Sequence, residues 1–281
     1  MRKLPKPTDK SSEILLLCTS KIRSQDLKDR LEACGNVIDE ADIIYEERAG
    51  LTELHLIQSE LIVNGDVSRE EMEKVYTDRL AKKEGPGRSY YNKVISSTTN
   101  NKCPLCGHRV VSTLDHHLPK SKFPVYAISP VNLVPSCYEC NISKLNHISK
   151  TSQDEPLHPY FDNFDDQMWL LAKVVETKPA CIKFYAFQPD RMSDDVFERI
   201  IHHMKLLKLT SLYVSNSAEE LMNINYYISD LYDSAGSEEV KNHLEKCFQS
   251  RKKVNLNSWE TAFYYALYQS EWYCSGGYRM R

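Results

Sequence analysis

Apolar side chains recur every third or fourth residue through most of positions 11–83, the spacing of a buried helical face. Leu27, Leu31 and Cys34 form one stripe, and Leu51, Leu54, Ile57 and Leu61 another. Asn64-Gly65-Asp66 is a turn signal between them and the next helix. Ser68, with Glu71 three residues later, is a capping-box pair that opens a helix through Met72, Val75 and Leu80. Gly85-Pro86-Gly87 ends it, and 88–95 (RSYYNKVI) reads as one more helix. Apolar runs at 168–175 and 181–187 flank Thr177, Lys178 and Pro179 and predict a strand pair. Ser193 is an N-cap signal for a helix through Val196, Ile200, Met204 and Leu207. Further helices are expected at 218–231, 238–251 and 259–268. Residues 1–10, rich in Lys and Pro, are expected to be loose.

Between the helical flanks lies a different pattern, CPLCGHRVVSTLDHHLPKSKFPVYAISPVNLVPSCYECNISK, at 103–144. A tight knuckle is expected at 103–107, a strand at 109–115, a loop at 119–130, and a helix starting near Cys137 and running toward Leu145. The chain thus reads as α+β and mostly helical, in three parts: an N-terminal helical region at 1–87, a small mixed core at 88–165, and a mainly helical region at 166–281.

Composition narrows the class. Hydrophobic residues make up 41% of the chain and charged residues 27%, ordinary for a globular protein. No apolar run approaches the roughly 20 residues that span a bilayer. The short ILLLC run near the start lacks the length of a secretory signal core, so the chain reads as cytoplasmic with no membrane partner. The net charge of −3 means that any nucleic-acid binding rests on a local patch. Such an excess is present around the central segment, in Lys102, Arg109, Lys120, Lys122, Lys144 and Lys150. Lys120 and Lys144 are the candidate phosphate contacts.

Nine cysteines are present, and four have metal spacing: Cys103/Cys106 and Cys137/Cys140. Two such pairs supply four soft ligands, the donor set of a closed, structural Zn²⁺ site. Cys18, Cys34, Cys181, Cys247 and Cys274 are scattered and read as small, partly buried apolar residues.

A structural zinc has no use for Asp115-His116-His117, which follows an apolar strand. Asp115 is a hard oxygen ligand for Mg²⁺ or Mn²⁺. His116 is suited to accept a proton from water near neutral pH. Asn141, directly after a cysteine ligand, adds a neutral oxygen. His117, His147 and His158 are read as packing or hydrogen-bonded structural groups.

On these residues the segment resembles an HNH endonuclease of the zinc-stapled ββα-metal kind, with His116, Asn132 and Asn141 at the signature positions. The resemblance implies that His116 is the general base, that Asp115 and Asn141 hold a catalytic Mg²⁺ or Mn²⁺, and that Asn132 holds the loop and positions the base. It also implies that Cys103, Cys106, Cys137 and Cys140 bind zinc, and that the substrate is DNA rather than RNA. RSYYNKVI, LDHHLPKSKFP, NLVPSCYECN and LHPYFD further resemble stand-alone bacterial HNH proteins, some of which act beside an ATPase in anti-phage defence of the Septu or retron-linked type. An ATPase partner is thereby implied as a candidate assembly, and two-strand cutting by one active site requires either a homodimer or two sequential nicks. The alternative is a zinc-stabilised nucleic-acid-binding or adaptor module without catalysis.

Overall fold

The computed structural model describes residues 1–279, which are mostly helical and carry three two-stranded antiparallel sheets. The chain divides into two compact units, 1–162 and 163–281.

The first unit opens with α1 (Ser11–Thr19), α2 (Gln25–Ala33) and α3 (Gly35–Gly50), packed on one another. A small hairpin, β1 (Ile62–Val63) and β2 (Val67–Ser68), turns through Gly65 at φ 82°. Ser68 then caps α4 (Arg69–Lys74). Its hydroxyl accepts from the Glu71 N–H, and the Glu71 carboxylate accepts from the Ser68 N–H. The helix continues as a π-helical turn, Val75–Ala81, and α5 (Arg88–Ile95) follows.

Next come β3 (Thr113–His116), β4 (Leu133–Ser136) and α6 (Tyr138–Lys144), a ββα arrangement with α6 packed on β3. β3 is shorter than the expected 109–115 strand, because Val110 pairs separately with Lys102 to close the first knuckle. Leu114 and Leu133 join a single core with Ile14, Leu31, Ile38, Tyr76 and Val94. The N-terminal helices therefore form the wall against which the hairpin is pressed. A second cluster, Tyr45 and Leu54 with Leu118, Phe123 and Tyr126, anchors the loop between β3 and β4.

Residues 1–10 are not loose. Met1 and Leu4 are buried. The Arg2 N–H donates to the Pro104 carbonyl at 2.7 Å and the Leu4 N–H to Pro159 at 2.8 Å. Composition spoke for disorder, but two apolar side chains and two backbone hydrogen bonds outweigh the ordering entropy.

In the second unit, β5 (Leu170–Val175) pairs with β6 (Cys181–Ala186) in the expected place. The Asn257 carboxamide holds the start of β5. Its oxygen accepts from the Trp169 and Leu170 N–H groups, and its nitrogen donates to the Phe164 and Gln167 carbonyls. Ser193 caps α7 (Asp194–Leu206). The two helices expected at 218–231 and 238–251 are longer and nearly continuous, as α8 (Leu209–Val254) broken at Gly236. Gly236 has φ 82° and ψ −177°, a backbone conformation open essentially to glycine alone. The rings of Tyr227 and His243 lie 4.8 Å apart. In a straight helix that separation in sequence spans about 24 Å, so α8 doubles back at Gly236 as a helical hairpin. α9 (Trp259–Gln269) and α10 (Glu271–Cys274) complete the unit. Trp259, Tyr264 and Tyr273 are core residues, whereas Tyr226 is 82% exposed. Of the scattered cysteines, Cys18, Cys34 and Cys274 are buried, Cys247 is half-buried and Cys181 exposed. Among the described residues, no helix is long and apolar enough to cross a membrane.

Candidate functional site

Two knuckles build the metal centre. In the first, the Cys103 N–H donates to Arg109 O and the Gly107 N–H to Cys103 O, and Gly107 takes φ 68° to close the turn. The Arg109 N–H then points at Cys106 Sγ, 3.4 Å away. In the second, Cys137 is the N-cap of α6, its Sγ accepting from the Cys140 N–H at 3.4 Å. All four cysteines are buried, with their sulfurs within 4.8 Å of one another. That spacing closes around one tetrahedral ion with metal–sulfur bonds of about 2.3 Å. Four thiolates, with backbone N–H groups donating to Cys106 and Cys137, suit Zn²⁺.

Strand alternation sorts β3 into two faces. Thr113 and Asp115 point toward α6, while Leu114 and His116 point toward the N-terminal core. On α6, Asn141 and Lys144 are three residues apart and share a face. The Asn141 amide lies 3.5 Å from Thr113 Oγ1. The Lys144 ammonium lies 3.3 Å from each Asp115 carboxylate oxygen and 2.6 Å from the His116 carbonyl oxygen. Asp115 is 4% exposed and Lys144 3%. Burial pushes the Asp115 pKa up, and Lys144 pulls it back.

His116 is partly exposed, and its Nε2 lies 2.8 Å from the Ala127 carbonyl oxygen. A carbonyl only accepts, so Nε2 carries the proton and Nδ1 the lone pair. The Tyr76 ring meets the imidazole edge-on at 4.3 Å between centroids, and the Tyr76 hydroxyl donates to Leu114 O. Burial, aided by Lys120 and Lys144, holds the ring's pKa down to about 3. The imidazole is therefore neutral at physiological pH.

Asn132, fully buried, organises the loop that carries Ala127. Its Oδ1 accepts from the Leu118 N–H at 2.7 Å, and its Nδ2 donates to the carbonyls of Leu118 and Tyr126. Behind it, Tyr45 donates to Asn132 Oδ1. His158 Nδ1 accepts from the Tyr160 N–H, which makes Nε2 the donor to the Tyr45 hydroxyl. The His117 and His158 rings lie tilted against each other, 4.2 Å between centroids. His147 reaches the Asp154 carbonyl. His158 and His117 belong to the support of Asn132, and His147 ties the chain after α6 to Asp154.

The structure thus joins Asp115 to Lys144, Asn141 to Thr113, and His116 to Ala127 and Tyr76. Lys120 is partly exposed, its ammonium 6.0 Å from the Tyr76 ring on the His116 side of the strand. Lys144, expected as a phosphate contact, is withdrawn into the pair with Asp115. Arg109 faces Glu139 at 3.8 Å. Tyr76 and Tyr45 escaped the sequence reading: both look like ordinary core positions of amphipathic helices, and only the tertiary fold brings them to His116 and Asn132.

Two relatives are informative. The chain is 27% identical over 234 residues to Protein ea31 of Escherichia phage lambda, covering 80% of this chain and 79% of that protein. It is 26% identical over 149 residues to the Septu protein PtuB of Bacillus thuringiensis, covering 50% of this chain and 56% of that one. No family model matches the chain. No solved structure matches it either.

Proposed function

We propose that the chain is a divalent-metal-dependent endonuclease of the HNH kind, hydrolysing phosphodiester bonds in DNA, and that it serves as an effector in bacterial anti-phage defence. The observation that carries the chemistry is the tautomer of His116: Nε2–H donates to Ala127, leaving Nδ1 as a fixed, neutral proton acceptor. The ββα order and the cysteine group support the same reading. The likeness to a Septu protein supports the defence role.

In this reaction water attacks phosphorus, its proton passes to His116 Nδ1, and the phosphorus–oxygen bond to the leaving nucleotide breaks. Asn132 fixes the loop that presents the Ala127 carbonyl and so aims the imidazole. Lys120 lies on the imidazole's side of the strand, placed to hold a phosphate oxygen. Asp115 and Asn141 would supply hard oxygens for a divalent ion, and the Asp115 carboxylate already attracts a cation, the Lys144 ammonium. Such an ion would supply charge for the leaving oxygen.

The test is nicking of supercoiled plasmid by zinc-loaded protein with Mn²⁺ or Mg²⁺. Wild type converts the plasmid, and His116→Ala slows the reaction by about 10²–10⁴-fold while keeping its zinc and its melting temperature. Equal cutting by the variant removes His116 from the reaction.

A further inference from the structure

Asp115 and Lys144 form a closed pair. The ammonium contacts both carboxylate oxygens and the His116 carbonyl, and both side chains are almost wholly out of water. We infer that Lys144 is an internal counter-ion occupying the cation place of the site, and that a divalent ion binds only by displacing it. This rests on the reading of Asp115 and Asn141 as the divalent-ion ligands.

The argument is one of charge. A single buried carboxylate balances one monovalent ammonium. A divalent ion brought against the same carboxylate with the ammonium still there would place like charges in contact at low dielectric. The lysine stem is four carbons long and stands in the last turn of α6, so the ammonium has the reach to leave without moving Asn141. The helix ends there abruptly: Leu145 has φ 46° and ψ −127°, a sparsely populated conformation for a side chain other than glycine. The freed ammonium becomes available to a phosphate at the moment the site is loaded. The device keeps Asp115 neutralised until a divalent ion takes its place.

The test is Mn²⁺ binding to zinc-loaded protein, read by the loss of the free Mn²⁺ electron paramagnetic resonance signal, for wild type, Lys144→Met, Lys144→Arg and Asp115→Asn. Lys144→Met is expected to bind Mn²⁺ more tightly than wild type by on the order of ten-fold or more, because it leaves a buried carboxylate unpaired. Lys144→Arg keeps the charge and stays near wild type, and Asp115→Asn loses the site. Should Lys144→Met unfold without metal, the Mn²⁺-dependent rise in melting temperature is compared instead, and it is larger in this variant than in wild type. Equal or weaker binding by Lys144→Met, with Asp115→Asn still defective, overturns the displacement and leaves the ion site standing. No Mn²⁺ binding by any form overturns both.

Discussion

The hydroxyl of Tyr45 donates to Oδ1 of Asn132 at 3.2 Å, bridging 87 positions of sequence from α3 to the residue just before β4. The pair is sealed from water, and His158 donates to the same hydroxyl. Tyr45→Phe leaves the His158 N–H without that acceptor. The expected cost is about 1–3 kcal/mol, read by urea unfolding. Plasmid nicking falls with it, because the loop that carries Ala127 loosens. A variant as stable as wild type shows the network to be incidental.

Asp42 gives a pH signature. Its carboxylate accepts from the hydroxyls of Ser11 and Ser129, and burial raises its pKa to about 6. The unfolded value is about 3.9. Between about pH 4 and pH 6 the folded chain keeps a proton that the unfolded chain has released, so Asp42's contribution to stability falls as pH rises through that window. Asp42→Asn flattens this slope. The readout is the urea midpoint against pH, since the amide carries no titratable charge while one serine hydroxyl must turn to accept from its NH2. An unchanged slope assigns the pH dependence to other groups.

Zinc removal has a local signature. The first knuckle carries Pro104, and Arg2 is bonded to it. Cys137→Ser, or treatment with a strong chelator, is expected to raise amide exchange first in residues 1–5 and 103–110, before α1–α3 respond. One zinc per chain, lost together with this protection, is the expected analysis. Protection that survives metal loss separates the knuckles from the ion.

Gly236→Ala tests the reversal in α8. The substituted residue is forced into a conformation that costs on the order of 1–3 kcal/mol. The Tyr227–His243 contact loosens with it. Calorimetry of the intact chain reads the loss in melting temperature. A variant with a wild-type melting temperature means that the two halves of α8 meet without that backbone angle.

What the sequence made legible was local. The cysteine spacing announced the knuckles. Ser68 and Ser193 announced their helices by capping, and the apolar runs at 168–175 and 181–187 announced β5 and β6. Each of these signals is complete within a few residues. Three features were not legible. The depth of Lys144 depends on α6 lying against β3, so a lysine in a basic stretch read as a phosphate contact. Tyr76 and Tyr45 carry no motif, since an aromatic at helical spacing looks the same whether it packs on leucine or on imidazole. The docking of residues 1–10 depends on Pro104 and Pro159, far along the chain, and no composition rule reports a partner at that distance.

The alternation along β3 has an evolutionary corollary. Its odd positions face α6 and its even positions face the N-terminal core, so the two faces are interleaved in four consecutive codons. A substitution at one of them alters one face and spares the other. Loss or gain of a single codon exchanges the faces of every residue beyond it, turning His116 toward α6 and Asp115 toward Tyr76. Relatives that keep the two faces are therefore expected to vary in length in the loop between β3 and β4, and in the flanks, but not between Thr113 and His116.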